Sequence, residues 1–280
     1  GHVTGVQTCA LPIYRAAVML DFFYAYPNWI IGVTFVATAI GLGLALMFGL
    51  RALLPVRDDK ETFDITIRVM PTVLSLTAFV LGFSVVQATN DTARAGKIVV
   101  DEATSIAQLD RLLARIDEKA TLPARTALAA MARSIVDDEW PYMREGHDGF
   151  GHVTTRTRVQ ALNDTLRAID LGDPRARELA MDAIHAADQI EDLRDARLRE
   201  SREAIPGLFW SVIGFLTLLM MSLGAFLRPT LTNIVMVAGQ AAAVGMLSAF
   251  LFSMDHPFMG ESAIDSAMLR RVISGLSVKS

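Results

Sequence analysis

Val69-Met70-Pro71-Thr72-Val73-Leu74-Ser75-Leu76-Thr77-Ala78-Phe79-Val80-Leu81-Gly82-Phe83-Ser84-Val85-Val86 carries no ionisable side chain, with Arg68 directly before it and Asp91 shortly after. A helix satisfies its own backbone in hydrocarbon, and an uncharged run of this length matches the apolar thickness of a bilayer. The stretch predicts a membrane-spanning helix over 69–86. Within it Ser75, Phe79 and Phe83 recur every fourth residue and Gln87 continues the series, so the four form one stripe that drifts by about 40° per step. Such a stripe either packs against neighbouring helices and lipid or lines a path between several helices.

The rest of the chain fits the same reading. Hydrophobic residues make up 52% and charged residues 20%, and the two are segregated along the chain as in a membrane protein. Residues 29–50 form a first uncharged span, with Tyr24, Tyr26 and Trp29 at its entrance as an expected interfacial belt and Arg51 at its end. Its Gly41, Ala45 and Gly49 suggest a face for close helix approach. Residues 208–227 make a third span, stopped by Arg228-Pro229, and residues 231–254 a fourth, with only Asn233 and Gln240 as amides. The four spans are arranged in sequence as two hairpins, over 19–88 and 206–254, followed by a C-terminal tail, 255–280. None carries an ionisable group well inside its apolar run, which disfavours proton relays and ion-coupled carriers.

Val3-Thr4-Gly5-Val6-Gln7-Thr8-Cys9-Ala10-Leu11-Pro12-Ile13 reads as the translation of a sequencing adapter, and 14–18 as upstream sequence before a segment beginning at Met19. Residues 1–18 are therefore set aside from the fold. The single cysteine, Cys9, goes with them, so no disulfide or thiolate chemistry is expected.

Between the hairpins, residues 89–205 are charged and alanine-rich with helical periodicity. Val99, Ile106, Leu109, Leu113 and Ile116 make one stripe; Pro123 is expected to open a second helix bearing Leu128, Met131 and Ile135, closed by Trp140-Pro141. A glycine-rich loop over 144–152 precedes a third helix with Val159, Leu162, Leu166 and Ile169. Asp173-Pro174 then caps a fourth, with Leu179, Ile184, Ile190, Leu193 and Leu198, which runs to a kink at Pro206-Gly207. Both borders of the insert are expected to be continuous helices.

Enzyme chemistry finds no support. His147, Asp148 and His152 share a loop without a further placed metal ligand, and no phosphate-binding glycine loop, Ser-His-Asp set or zinc spacing occurs. Arg194, Arg197, Arg199 and Arg202 interleave with Glu191, Asp192, Asp195, Glu200 and Glu203, the pattern of a salt-bridged helix face. The net charge of −4 gives nucleic acid no reason to bind.

Ala78-Phe79-Val80-Leu81-Gly82-Phe83-Ser84-Val85 resembles the Ser-Phe-Val-Leu-Gly-Phe segment of the second membrane helix of bestrophins. From Met19 to about Ile273 the chain is similar to bacterial bestrophin-like domain proteins, a family of unknown function. The resemblance also rests on Asp101-Glu102-Ala103, on Ile205-Pro206-Gly207-Leu208-Phe209-Trp210 and on Asp255-His256-Pro257-Phe258-Met259-Gly260. It implies an anion pore, a homo-oligomer, Ser75, Phe79, Phe83 and Gln87 as pore-lining residues, and a cytoplasmic insert in a bacterial inner membrane. A Trp-Trp pair that follows the neck in bestrophins is replaced by Thr92-Ala93-Arg94-Ala95-Gly96-Lys97. Asp255, Glu261 and Asp265 fall where bestrophins carry a calcium clasp and are the candidate cation ligands, although hard cations prefer a denser set of oxygens.

The expectation is thus an all-α membrane protein with four transmembrane helices and an inserted helical bundle, its partners the lipid bilayer, inorganic anions and further copies of itself. It is not expected to be an enzyme or to hold a cofactor. The leading function is an anion channel with a phenylalanine neck. The alternative is a non-conducting scaffold or sensor whose helical domain binds a partner.

Overall fold

A computed structural model describes residues 24, 26–56, 59–147, 152–169, 174–202 and 204–276. Residues 1–18, Asp148 and Asp173 lie outside these, and with them the adapter reading, part of the glycine-rich loop and the Asp173 cap. The described residues contain helices and no strand. In order they are α1 (Asn28–Leu53), α2 (Lys60–Ile116), α3 (Glu118–Ser134), a π-helical turn (Ile135–Glu139), α4 (Trp140–Arg144), α5 (Val153–Arg167), α6 (Pro174–Glu200), α7 (Gly207–Leu223) ending in a 3-10 turn (Gly224–Phe226), α8 (Leu231–Met254) and α9 (Ala267–Gly275).

Four of these helices are long and apolar enough to cross a membrane: α1, α2, α7 with its 3-10 turn, and α8. Helices α1, α7 and α8 and the part of α2 up to residue 90 fall in the first of two compact units, whose described residues lie within 24–90, 204–255 and 260–262; those of the second lie within 91–202, 256–259 and 263–276.

In the first unit α1 packs along α8 and also against α7. The close approach comes from Gly245, where an added Cβ would stand 2.9 Å from the Phe35 carbonyl oxygen, and from Gly43 facing the Ala241 methyl. The expected face of Gly41, Ala45 and Gly49 is instead exposed, because the helix buries Ile31, Gly43 and Met47. Tyr24 also departs from the expected belt. It is buried, stacks on Phe252 with 4.7 Å between ring centroids, and donates its hydroxyl to the Phe252 carbonyl at 2.9 Å, while Trp29 stays 69% exposed. Gly260 lies close to it with φ of 76°, where a Cβ would meet the Tyr24 ring at 3.2 Å. Arg51 ends α1 by donating to the Leu227 carbonyl at 3.0 Å.

Helix α2 runs unbroken for 57 residues, about 85 Å at 1.5 Å per residue, so it outruns any bilayer. It changes character on the way, from the apolar 69–86 segment to an amphipathic one that buries Val99, Ile106, Leu109 and Leu113 as its spacing predicts.

The second unit is a helical bundle around those residues, Leu128, Met131, Ile135, Val159, Leu162, Leu166, Ile190 and Leu198. Pro123 does not open α3. The helix starts at Glu118, because the Asp117 carboxylate accepts from the Lys119 and Ala120 amides at 2.8 and 3.2 Å, and Pro123 sits inside it. Nor do Trp140 and Pro141 close it: the π-helical turn carries the chain into α4, with Trp140 buried against Phe258. The border at Pro206 is a break, not a continuous helix. Helix α6 ends at Glu200, and Pro206 is the N-cap of α7. A proline cannot supply the amide hydrogen that helix continuation requires.

Candidate functional site

The stripe chosen from the sequence is the outer face of its own helix. Thr77, Leu81, Ser84 and Ala88 are buried on one side of α2, while Ser75, Phe79, Phe83 and Gln87 on the other are exposed, Phe79 by 71% and Phe83 by 54%. Two polar residues on the buried side give nothing away to hydrocarbon, since Thr77 and Ser84 donate to the Val73 and Val80 carbonyls one turn back at 2.8 and 2.9 Å. Two large rings are therefore left without an intrachain core, although Phe83 stacks at 6.3 Å on Phe209. The phenyl edge is the positive end of the ring quadrupole.

Two of the three candidate cation ligands serve the backbone. Asp255 accepts from the Ile205 amide at 2.7 Å, and Glu261 accepts from the Asn28 amide at 2.8 Å at the start of α1. Asp265 is exposed just before α9. Among the described residues no group of three or more His, Cys, Asp or Glu side chains is placed to hold a metal ion. His147 stacks on Tyr142 at 4.7 Å, and His152 shares a 3.1 Å hydrogen bond with Thr155.

The sequence reading missed a buried charge cluster in the second unit. Arg197 is fully buried on α6 and donates to Glu102 of α2 at 2.7 and 3.2 Å and to Glu139 of the π-helical turn at 2.6 Å. Arg194 closes the group by donating from both Nε and Nη2 to the other Glu139 oxygen, Oε2. The Arg197 guanidinium also lies 5.3 Å from the Trp140 ring. Burial pushes the Glu102 carboxyl above its ordinary range, and the Arg197 guanidinium offsets this only in part. Burial also opposes the charge on Arg197, but Glu102 and Glu139 together outweigh it and raise its pKa. Of the expected salt-bridged face on α6, Arg194 pairs with Asp195 of the same helix at 3.8 Å, while the buried partners of Arg194 and Arg197 are supplied from elsewhere in the bundle. One signal was present: Glu102 stands three residues after Val99 and four before Ile106, on the core stripe itself.

Helices of this length and apolarity joined to a charged helical bundle define an all-α integral membrane protein. The chain belongs to the Bestrophin-like domain family, whose model matches residues 37–269. Among solved structures it is similar to a point-mutated bacterial bestrophin homologue from Klebsiella pneumoniae, with a TM-score of 0.63 at 12% identity over 88% of this chain and 97% of that one. A second mutant of a Klebsiella pneumoniae bestrophin homologue gives 0.58 at 12% identity over 89% and 98%. A crystal structure described as that of a membrane protein gives 0.61, again at 12% identity, over 89% and 97%. At that identity the likeness establishes the fold. No curated protein matches the sequence.

Proposed function

We propose that this protein is an ion channel selective for anions, formed by a ring of identical subunits whose second spans surround the path. The carrying observation is the exposed Ser75, Phe79, Phe83 and Gln87 face on a helix whose other face is packed. One copy of four apolar helices cannot surround water, whereas cyclic closure places one stripe per subunit on a common axis. Phe79 and Phe83 form the apolar neck, which resists wetting when narrow; Ser75 and Gln87 offer hydrogen bonds on either side of it. The inserted domain is assigned to the cytoplasm from the family resemblance, and reporter fusions after Gly146 that were active only outside would reverse this. Asp255 and Glu261 are assigned as caps for backbone amides.

The contact of Phe83 with Phe209 favours a second reading, a non-conducting scaffold in which the rings pack within the chain or face lipid. Reversal potentials of purified protein in planar bilayers separate the two. Anion-selective currents that become larger or leakier in Phe79→Ala and Phe83→Ala establish the channel. Silence in the bilayer together with a monomeric mass in lipid would leave the scaffold.

A further inference from the structure

Two grooves of about 300 and 270 Å³ meet at the π-helical turn of the helical bundle, where Arg133 and Asp137 line both. The first adds Arg270 from α9, with Val136 and Ile273 as its apolar wall; the second adds Arg158 from α5 and Asp138 from the turn. Three guanidinium groups thus stand with two carboxylates, and one positive charge is in excess.

These charges are brought together without being paired. Among the described residues none of Arg133, Arg158 and Arg270 makes an ion pair, whereas Arg94, Arg125, Arg194 and Arg197 of the same unit all do. Local structure accounts for this. In an α-helix Arg133 and Asp137 would be neighbours at i and i+4. The turn that follows Arg133 is instead closed by an i→i+5 bond, from the Trp140 amide to the Ile135 carbonyl, and the wider winding breaks that alignment. Asp138 is engaged elsewhere: it accepts from the buried Ser134 hydroxyl at 2.8 Å, and Ser134 lies 3.0 Å from the buried Thr155 hydroxyl, which bonds His152. Arg270 is held from behind. Its Nε donates to the buried Ser266 hydroxyl at 3.1 Å, which leaves its two Nη groups for the groove.

The order of charge decides what fits. A guanidinium fork matches a carboxylate or a phosphate with two parallel bonds. Arg270 offers one fork in the first groove, Arg158 another in the second, and Arg133 stands in both. Asp137, shared in the same way, repels a plain dianion laid across the grooves and attracts a cation at its middle. A phosphate brings no such cation, and a monocarboxylate leaves one groove unfilled.

We propose that the joined grooves bind an acidic amino acid, with one carboxylate in each groove and the ammonium between them on Asp137. Its single net negative charge offsets the excess positive charge of the site, and Val136 and Ile273 flank its carbon chain.

The test is calorimetric titration of the full chain in mild detergent and low-chloride buffer with L-aspartate and L-glutamate. Succinate, which lacks the ammonium, and L-alanine, which lacks the second carboxylate, are titrated beside them. Saturable binding of aspartate or glutamate is expected, with succinate and alanine each weaker by roughly tenfold or more, the value of one hydrogen bond to a charged group. Arg133→Gln should abolish binding, and Arg158→Gln and Arg270→Gln should each weaken it by roughly tenfold. Asp137→Asn should bring the amino acids down to the level of succinate. Arg271→Gln is the control, because Arg271 is exposed beside Arg270 and lines neither groove, and its loss should change nothing. All five side chains are exposed, so circular dichroism should match the parent; Asp137→Asn carries the test if an arginine variant misfolds. Absence of saturable binding, binding that survives Arg133→Gln, or equal weakening by Arg271→Gln overturns the proposal. Succinate bound as tightly as aspartate overturns the role of Asp137 and with it the amino-acid assignment.

Discussion

The two compact units bury polar groups in opposite ways. In the membrane unit Thr77 and Ser84 return their hydroxyls to their own helix, and the helices meet through Gly43, Ala241 and Gly245. In the helical bundle, four charged side chains from α2, α6 and the π-helical turn are buried against one another. The difference follows from the solvent each must exclude. Lipid gives no hydrophobic reward for bringing apolar helices together, so close contact and self-satisfied polar groups hold the spans. Water does give that reward, and a bundle stabilised by it can bear the cost of burying ions if each finds a partner.

Arg197→Leu should break this contrast most severely. It leaves Glu102 with no hydrogen-bonded cation and Glu139 with one, and the loss of a buried ion's partner costs about 3 to 5 kcal/mol. Thermal or denaturant unfolding of the detergent-solubilised chain measures it, and a loss below about 1 kcal/mol would show that the cluster is hydrated.

Gly245→Val tests the membrane unit by the same assay. The new side chain meets the Phe35 carbonyl oxygen and the Val36 Cα, so overpacking of about 1 to 3 kcal/mol is expected. Gly41→Ala is its control: nothing stands within 4 Å of the added methyl, and the change should be neutral or stabilising by up to about 1 kcal/mol.

Glu102→Gln sharpens the charge side through pH. The folded state holds the Glu102 proton more tightly than the unfolded chain, whose value is 4.5. Folded protein therefore binds more protons above that pH, and the contribution of Glu102 to stability falls as pH rises through its folded pKa. The glutamine variant should gain on the parent as pH is raised from 4.5 toward neutrality. Parallel stability curves would place the carboxyl at its ordinary value.

Phe79→Ala has the smallest expected effect on stability. A buried phenylalanine loses about 3 to 5 kcal/mol on truncation, but Phe79 is 71% exposed and should lose well under 1 kcal/mol. Phe83→Ala should lose slightly more, because its ring stacks on Phe209. A core-like loss at Phe79 would identify an intersubunit or intrachain packing site.

The spans and the amphipathic half of α2 were legible because each is decided locally, by an uncharged run or by helical spacing. What escaped the sequence depends on the chain elsewhere. Gly41, Ala45 and Gly49 make as good a small-residue series as Gly43 does, and only the position of α8 decides which face is used. Pro123 is a plausible first residue of a helix until Asp117 caps it a turn and a half earlier. Arg197 has acids all around it in sequence, yet its partners are 58 and 95 residues away. The outward face of Phe79 and Phe83 was legible as a stripe, but the spacing alone could not say that the stripe lies opposite the packed side of α2.

The contacts at the start of α1 set an order in time. The Tyr24 hydroxyl finds its acceptor 228 residues later in the chain, and the Asn28 amide finds Glu261 233 residues later. At synthesis rates of about 5 to 20 residues per second, α1 waits roughly 11 to 46 seconds after its own translation before these partners exist. During that interval its Gly43 face has no α8 to meet. The first of the four spans to be made is thus among the last of them to be locked, and a substitution near Glu261 can act on the biogenesis of a helix made long before it.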